Sequence, residues 1–288
     1  MQENSQPKVF IIVLNFNGKY TLPACLSSVF KSDYSNFEVV VVDNNSKDSS
    51  FEQAKSQFSR AHLIQNSANT GFGAGNNIGI RYALEKFADY VFILNNDTLI
   101  KRDTVSKLVN LASSNNSIGI VSPLIFNKKS VWFAGGKIDW LQMRALHIFK
   151  PQSKNPYLSQ YLSGCAMLVK KEVFKKIGLF DERFFLYYED TDLSFRAAKA
   201  GFELLVDPST YIQHLEQSSY NNPKKNYWLV LSGLIFFRTH SSFAQKVWLF
   251  HYLTARKIKN FYDLISSENP LATEVRRAYV DFKKIPRY

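Results

Sequence analysis

Val9-Phe10-Ile11-Ile12-Val13-Leu14 is an unbroken apolar, largely β-branched run that stops at the polar Asn15-Phe16-Asn17-Gly18. Continuous rather than alternating hydrophobicity predicts a strand buried on both faces, as in a parallel sheet covered by helices. Outward from it, Leu22, Cys25, Leu26 and Val29 recur at helical spacing, with Pro23 tolerable in a first turn. A second buried strand, Phe37-Glu38-Val39-Val40-Val41-Val42, ends in Asp43-Asn44-Asn45-Ser46-Lys47-Asp48. His62-Leu63-Ile64-Gln65 reads as a shorter third, and Tyr90-Val91-Phe92-Ile93-Leu94 as a fourth ending in Asn95-Asn96-Asp97. Between them Asn69-Thr70-Gly71-Phe72-Gly73-Ala74-Gly75-Asn76-Asn77 leads into a helix through Ile80, Leu84 and Phe87. This alternation predicts a doubly wound α/β fold with a mostly parallel central sheet flanked by helices. Ligands of such sheets sit beyond the carboxyl ends of the strands, where Asn15, Asp43 and Asn95 to Asp97 fall.

After Leu111 the rhythm changes. Gly119 to Phe126 and Val131 to Lys137 read as short strands joined by turns, Lys150 to Pro156 as a loop, and Tyr161 to Val169 as a strand. A helix over Lys171 to Ile177 stops at Gly178. The stretch FFLYYEDTDLSFRAAKAGF, residues 184–202, sets Glu189, Asp190 and Asp192 between an aromatic run and a helix that Gly201 ends. Acidic residues favour any helix N-terminus through its dipole, while apolar walls raise a carboxyl pKa and ready it for proton transfer. Both readings are open from the residues. Phe202 to Asp207 and Tyr211 to His214 predict two further strands. From Asn221 onward the composition is basic and aromatic, predicting two or three helices as a C-terminal appendage (221–288) on a first domain (1–220).

Hydrophobic residues at 45% are ample for a core, which excludes a disordered chain. The net charge of +12 points to a polyanion: nucleic acid, anionic lipid or a phosphorylated substrate. The two cysteines, Cys25 and Cys165, lack metal-type spacing, so the expectation is no disulfide framework, no zinc site and a reducing compartment. MQENSQPKVF lacks the pattern of a signal peptide, and the longest apolar stretch, Tyr227 to Phe237, is interrupted by Ser232 and Gly233. The expected location is cytoplasmic, with peripheral contact at the inner face of the cell membrane left open.

Asp43 suits a nucleobase imide or a ribose hydroxyl, or an Asx turn capping the next helix. Gly71, Gly73 and Gly75 permit close backbone approach to a ligand. They are not the dinucleotide fingerprint, because the first-strand turn holds a single glycine, Gly18. No phosphate loop with a following Lys-Ser/Thr occurs. Asp97 offers a carboxylate for a divalent cation, and His214 is either a further ligand or a satisfied polar residue.

In their order, IIVLNFNG, VVVVDNNSKDSS, NTGFGAGNNIGI, FILNNDT, the segment from SGCAMLV to RAAKAGF and VDPSTYIQH resemble a family 2 glycosyltransferase of the rhamnosyltransferase-like branch. The resemblance covers about residues 8–215 and implies the nucleotide-diphospho-sugar transferase (GT-A) fold. It implies that Leu14, Asn15 and Asp43 line the base and ribose pocket with Asn45 nearby, and that Asn69, Gly71 and Asn77 border nucleotide and sugar. Asn95-Asn96-Asp97 stands in place of the family's Asp-x-Asp motif, departing from it at Asn95. Asp97 and His214 match the positions that hold Mg2+ or Mn2+. Asp190 matches the catalytic base and Glu189 a residue orienting it or the acceptor hydroxyl, while Asp192 caps the helix or contacts Arg196.

The resemblance implies inverting transfer from a UDP- or dTDP-sugar donor to a hydroxyl of a glycan or lipid-linked acceptor, in surface polysaccharide or lipid-linked glycan synthesis. The basic-aromatic tail is read either as contacting an anionic membrane surface or as a solvated helical cap. The alternatives are a non-catalytic sugar-nucleotide-binding protein of the same fold and a nucleic-acid-binding protein. Nucleic acid is not the expected partner, because the positive charge is not gathered into a recognised module and the strand-end acids repel phosphate.

Overall fold

The sheet predicted from Val9 to Leu14 forms the centre of the molecule. The computed structural model describes residues 6–215, 223–266 and 270–286. The first half follows the predicted alternation: β1 (Val9–Asn15), α1 (Leu22–Val29), β2 (Phe37–Asp43), α2 (Ser50–Gln57), β3 (Ala61–Gln65), α3 (Phe72–Glu85) and β4 (Tyr90–Asn95). Val9 to Val13 and Val39 to Val42 are wholly buried, as continuous apolar runs require. Leu22, Cys25, Leu26 and Val29 are the buried face of α1.

The second half contains β5 (Thr98–Ile100), α4 (Thr104–Ser114), β6 (Ile118–Asn127), β7 (Ser130–Phe133) and the hairpin β8 (Gly136–Asp139)–β9 (Arg144–His147). It continues through β10 (Tyr157–Leu158), β11 (Ala166–Lys170), α5 (Lys171–Ile177), α6 (Glu189–Lys199) and β12 (Glu203–His214). The main sheet runs β10-β12-β6-β11-β4-β1-β2-β3. β1 to β4 are mutually parallel where they pair. β11 lies antiparallel between β4 and β6, and β12 runs parallel to β6. The sheet is therefore mixed, with one reversed strand at its middle.

Three local expectations change. Residues 162–165 do not extend β11; Ala166 N–H donates to Ser163 O, closing a turn. Phe202 to Asp207 and Tyr211 to His214 belong to one strand, broken in register between Asp207 and Tyr211. A bulge accommodates Pro208 there, where a regular ladder has no place for a residue without an N–H. The helix through Ile80 stops before Phe87, whose φ is +61°.

The C-terminal segment holds α7 (Pro223–His240), α8 (Phe243–Ser266) and α9 (Pro270–Phe282). The predicted 220/221 boundary lies outside the described residues. Leu231, Ile235, Phe236 and Phe237 of α7 join the main core, and Ser232 Oγ donates to Leu186 O at 2.8 Å. Among the described residues no helix is long and apolar enough to cross a membrane.

Candidate active site

Parallel pairing sets the polar strand ends side by side: Asn15 opposite Asp43, and Leu14 opposite Asn95. Asn15 is fully buried and donates to Asp43 Oδ1 at 2.7 Å and Ser50 Oγ at 2.8 Å, while accepting from Asn96 Nδ2 at 2.8 Å. Asp43 also accepts from Ser46 N–H at 2.9 Å, so the Asx-turn geometry is present. Leu14 packs against the start of α3 so closely that a Cβ at Gly75 would fall 2.5 Å from its Cδ1.

The loop leading into α3 is tied down by amides. Asn44, unnoticed in the sequence, is buried and donates to Gly71 O at 3.0 Å and Asn69 Oδ1 at 3.2 Å. Asn69 Oδ1 also accepts the Gly71 N–H at 3.0 Å. Asn45 reaches Ser67 O at 2.7 Å. Asn77 turns away from this cluster: it donates to Phe180 O and Glu182 Oε1, both at 2.9 Å, and accepts from Phe180 N–H at 3.0 Å. Gly71 has φ +87°, and a Cβ there would meet Phe185 O at 2.4 Å. Only glycine fits, because Phe72 N–H donates to that same carbonyl at 2.8 Å.

Antiparallel pairing of β5 with β12 puts His214 opposite Thr98, and Leu215 N–H donates to Asp97 O at 2.7 Å. His214 Nε2 thereby lies 3.3 Å from Asp97 Oδ1. Asp97 Oδ1 and His214 Nδ1 are both buried without a hydrogen-bond partner among the described residues. Buried polar atoms left unpaired are uncommon, and a cation or ligand resolves them. No cluster of three His, Cys, Asp or Glu side chains fit for a metal occurs among the described residues. The pair therefore fits a hard cation that completes its shell with phosphate and water oxygens rather than an all-protein cage. The Trp132 ring lies edge-on to both His214, at 4.8 Å, and His147, at 4.6 Å.

The acidic motif opens α6. Tyr187 and Tyr188 both have φ above +60° (+69° and +66°), a strained conformation that turns the chain sharply into the helix. Asp190 Oδ2 accepts the Gly164 N–H at 2.9 Å, and Oδ1 accepts the Thr191 N–H at 2.6 Å. Burial raises the Asp190 pKa, opposed by these bonds and by His147. Burial likewise pushes the His147 imidazole down, opposed by the Asp190 charge. Glu189 is buried, with no partner for Oε2 among the described residues; burial first, then the Asp190 charge, drives its pKa well above the carboxylate range. Asp192 is structural: it accepts from Arg196 Nε and from His240 of α7, both at 2.7 Å.

Gly164 joins the two halves. A Cβ on it would stand 2.9 Å from the Phe72 ring and 3.4 Å from Asp190 Cβ. Asn95 N–H donates to Cys165 O at 3.0 Å, so the turn before β11 also borders the Asn95–Asp97 cluster. The side chain of Asn95 is half-buried. Sequence reading missed Trp132, His147 and His240. Each occupies a helix or strand without motif spacing; Trp132 is distinguished by its contact with His214, His240 by its contact with Asp192, and His147 by its ring contact with Trp132 and the Asp190 charge it feels.

The family model described as glycosyl transferase family 2 matches residues 10–178. Among curated relatives, the chain is 27% identical over 208 residues to the dTDP-rhamnosyl transferase RfbF of Shigella flexneri, covering 72% of this chain and 68% of that protein. It is 26% identical over 231 residues to an N-acetylglucosaminyl-diphospho-decaprenol L-rhamnosyltransferase of Mycobacterium tuberculosis, covering 71% and 75%. A solved structure of GalNAc-T7 with UDP, GalNAc and Mn2+ superposes with a TM-score of 0.64 at 18% identity. That likeness covers 80% of this chain but only 48% of the other, and it is one of fold, the GT-A arrangement.

Proposed function

From the premise that the chain belongs to glycosyl transferase family 2, its model matching more than half of the residues, we propose an inverting transferase that uses a UDP- or dTDP-sugar. The acceptor is a hydroxyl of a glycan or lipid-linked intermediate, in surface polysaccharide or lipid-linked glycan synthesis. The observation that carries this is Asp190, whose two oxygens are held by backbone N–H groups beside Phe72 of the glycine-rich helix start. A base so oriented, with its pKa raised by burial, is suited to take the proton of an attacking hydroxyl.

Glu189, whose pKa burial and the Asp190 charge raise well above the carboxylate range, would orient the acceptor hydroxyl or Asp190. Leu14, Asn15, Asp43 and Asn45 form the floor on which base and ribose rest. Asn69 and Gly71 shape the loop around the sugar, with Asn95 and Asn96 beside it. The Asn77 bonds to the Phe180 backbone and the Glu182 carboxylate favour a supporting role for that residue, joining donor and acceptor sides. Asp97 and His214 would hold Mg2+ or Mn2+, whose chemistry is to neutralise charge on a diphosphate leaving group. The resemblance of RfbF and of the decaprenol-directed relative supports a dTDP-linked donor and a lipid-linked acceptor. This reading places the protein in the cytoplasm, peripheral at the inner face of the membrane, with residues 1–220 as transferase domain and 221–288 as helical appendage.

A panel of nucleotide sugars with nucleoside-diphosphate release as readout tests the proposal. Release from one pyrimidine-diphospho-sugar is expected. Binding of a sugar nucleotide without release across the panel would favour the non-catalytic alternative, which the departure at Asn95 keeps in view.

A further inference from the structure

Helix α8 is long, amphipathic and turned the wrong way for a soluble surface. At 100° per residue, Phe243, Val247, Phe250, Ile258, Phe261 and Ile265 fall in one stripe. These six are between 49% and 85% exposed, while Leu249 and Asn260 on the opposite side are buried. The stripe runs the length of the helix, about 36 Å at 1.5 Å per residue. One border is basic: Lys246 and Lys257 follow it, both exposed, while Lys259 lies further round the helix. Trp248, half-exposed, donates its indole N–H to Leu141 O at 2.9 Å, and exposed Leu141 at the β8–β9 turn extends the apolar surface.

We propose that this face of α8 docks the protein on an anionic bilayer, lying in the interface with its phenylalanines below the headgroups. Single exposed apolar residues are ordinary, but a continuous stripe with cations along one edge is not. The 24-residue helix carries Lys246, Arg256, Lys257 and Lys259 against the single acid Asp263. Apolar residues facing lipid and lysines facing phosphates are what an interfacial helix requires. A second copy is a poorer occupant, since stripe-to-stripe contact brings the flanking lysines of both copies together.

The inner side of α8 gives the docking a consequence. Leu249, Tyr252, Leu253 and Arg256 wall a cavity of about 350 Å³ that Tyr188 also lines, directly before Glu189. A helix seated on the bilayer thus stands next to the acceptor-side motif. The inference deepens the reading above, in that it rests on a lipid-linked acceptor for its purpose, but not for its test.

Purified protein is sedimented with phosphatidylcholine vesicles, with and without phosphatidylglycerol, in the absence of donor and acceptor. Binding to the anionic vesicles is expected, weakening at high salt. Phe250→Ser with Phe261→Ser should lower affinity by about 10-fold per ring. Lys246→Gln and Lys257→Gln should each cost about 5-fold on anionic vesicles. The phenylalanine variant should keep wild-type donor hydrolysis and thermal midpoint. No sedimentation of the wild type, or equal sedimentation of the phenylalanine variant, overturns the proposal. So does a wild-type dimer in analytical ultracentrifugation that this variant abolishes, which would assign the stripe to a second copy. Failure here leaves nucleoside-diphosphate release untouched, and failure of the donor panel leaves vesicle binding untouched.

Discussion

Gly164 holds Asp190: the backbone N–H in the turn before β11 donates to Asp190 Oδ2 at 2.9 Å, while Thr191 N–H occupies Oδ1. Both carboxylate oxygens thus have a fixed direction, and the remaining lone pairs are those available to a hydroxyl.

Asp190→Asn keeps the shape but has one oxygen for two backbone donors, so its NH2 group must face an N–H. Transfer should fall by about 100- to 10,000-fold, the usual worth of a positioned base, with donor affinity unchanged. Steady-state transfer rates and donor titration by calorimetry check this. Near-normal turnover would remove Asp190 from its role.

The pH profile follows from the same burial. A base must be ionised, and Asp190 is held above its ordinary value of 3.8, so transfer should fall with decreasing pH at a higher point than for an exposed aspartate. Glu189 is raised well above 4.5 in the folded state. Its contribution to stability is then fully present below the unfolded pKa and is lost as pH rises through the folded one. Glu189→Gln stays neutral throughout. Its thermal midpoint should match wild type in acid and exceed it on the alkaline side, by about 2–4 °C per kcal/mol for a chain of this size. Melting curves across pH decide it; parallel curves would mean Glu189 is ionised when folded.

Chelation with EDTA should abolish transfer, with recovery on adding Mg2+ or Mn2+. Asp97→Ala should reduce it by more than about 100-fold, since charge stabilisation by a cation is worth several kcal/mol. Isothermal titration should show nucleotide affinity rising with metal in wild type and not in Asp97→Ala. Full activity in chelator would assign the phosphate charge to a basic side chain instead.

Arg196→Met strips Asp192 of its guanidinium partner, leaving only His240, and leaves the Ile177 and Leu179 carbonyls without their donors. Breaking a buried pair from one side costs about 3–5 kcal/mol. Urea denaturation should report a loss of that size, with the donor-side network unaffected.

Much of the frame was legible because it rests on local chemistry. β-branched runs such as Val39 to Val42 admit only a buried strand, and the Lys171–Ile177 helix is bounded by its own spacing and Gly178. The Tyr161–Val169 run misled for the same reason: apolar composition says nothing of Ser163-Gly164 closing a turn, and it is the turn that frees the Gly164 N–H for Asp190. Asn44 and Asn45 are adjacent and chemically identical, yet one is a buried hub and the other a half-exposed tie.

By itself the sequence determined an α/β sheet, polar residues at the ends of β1, β2 and β4, and three acids opening a helix. Tertiary structure decided which of those groups meet. Asp97 reaches His214 only through the β5–β12 register, and the three acids separate because Asp190 finds Gly164, Asp192 finds Arg196 and His240, and Glu189 Oε2 finds no partner among the described residues. The α8 stripe is written in the spacing of its phenylalanines, but which side faces outward was settled by packing at Leu249. Strand and helix formation follow from neighbours in the chain. Hydrogen-bond partners and burial follow from residues distant in the chain, which composition and spacing do not specify.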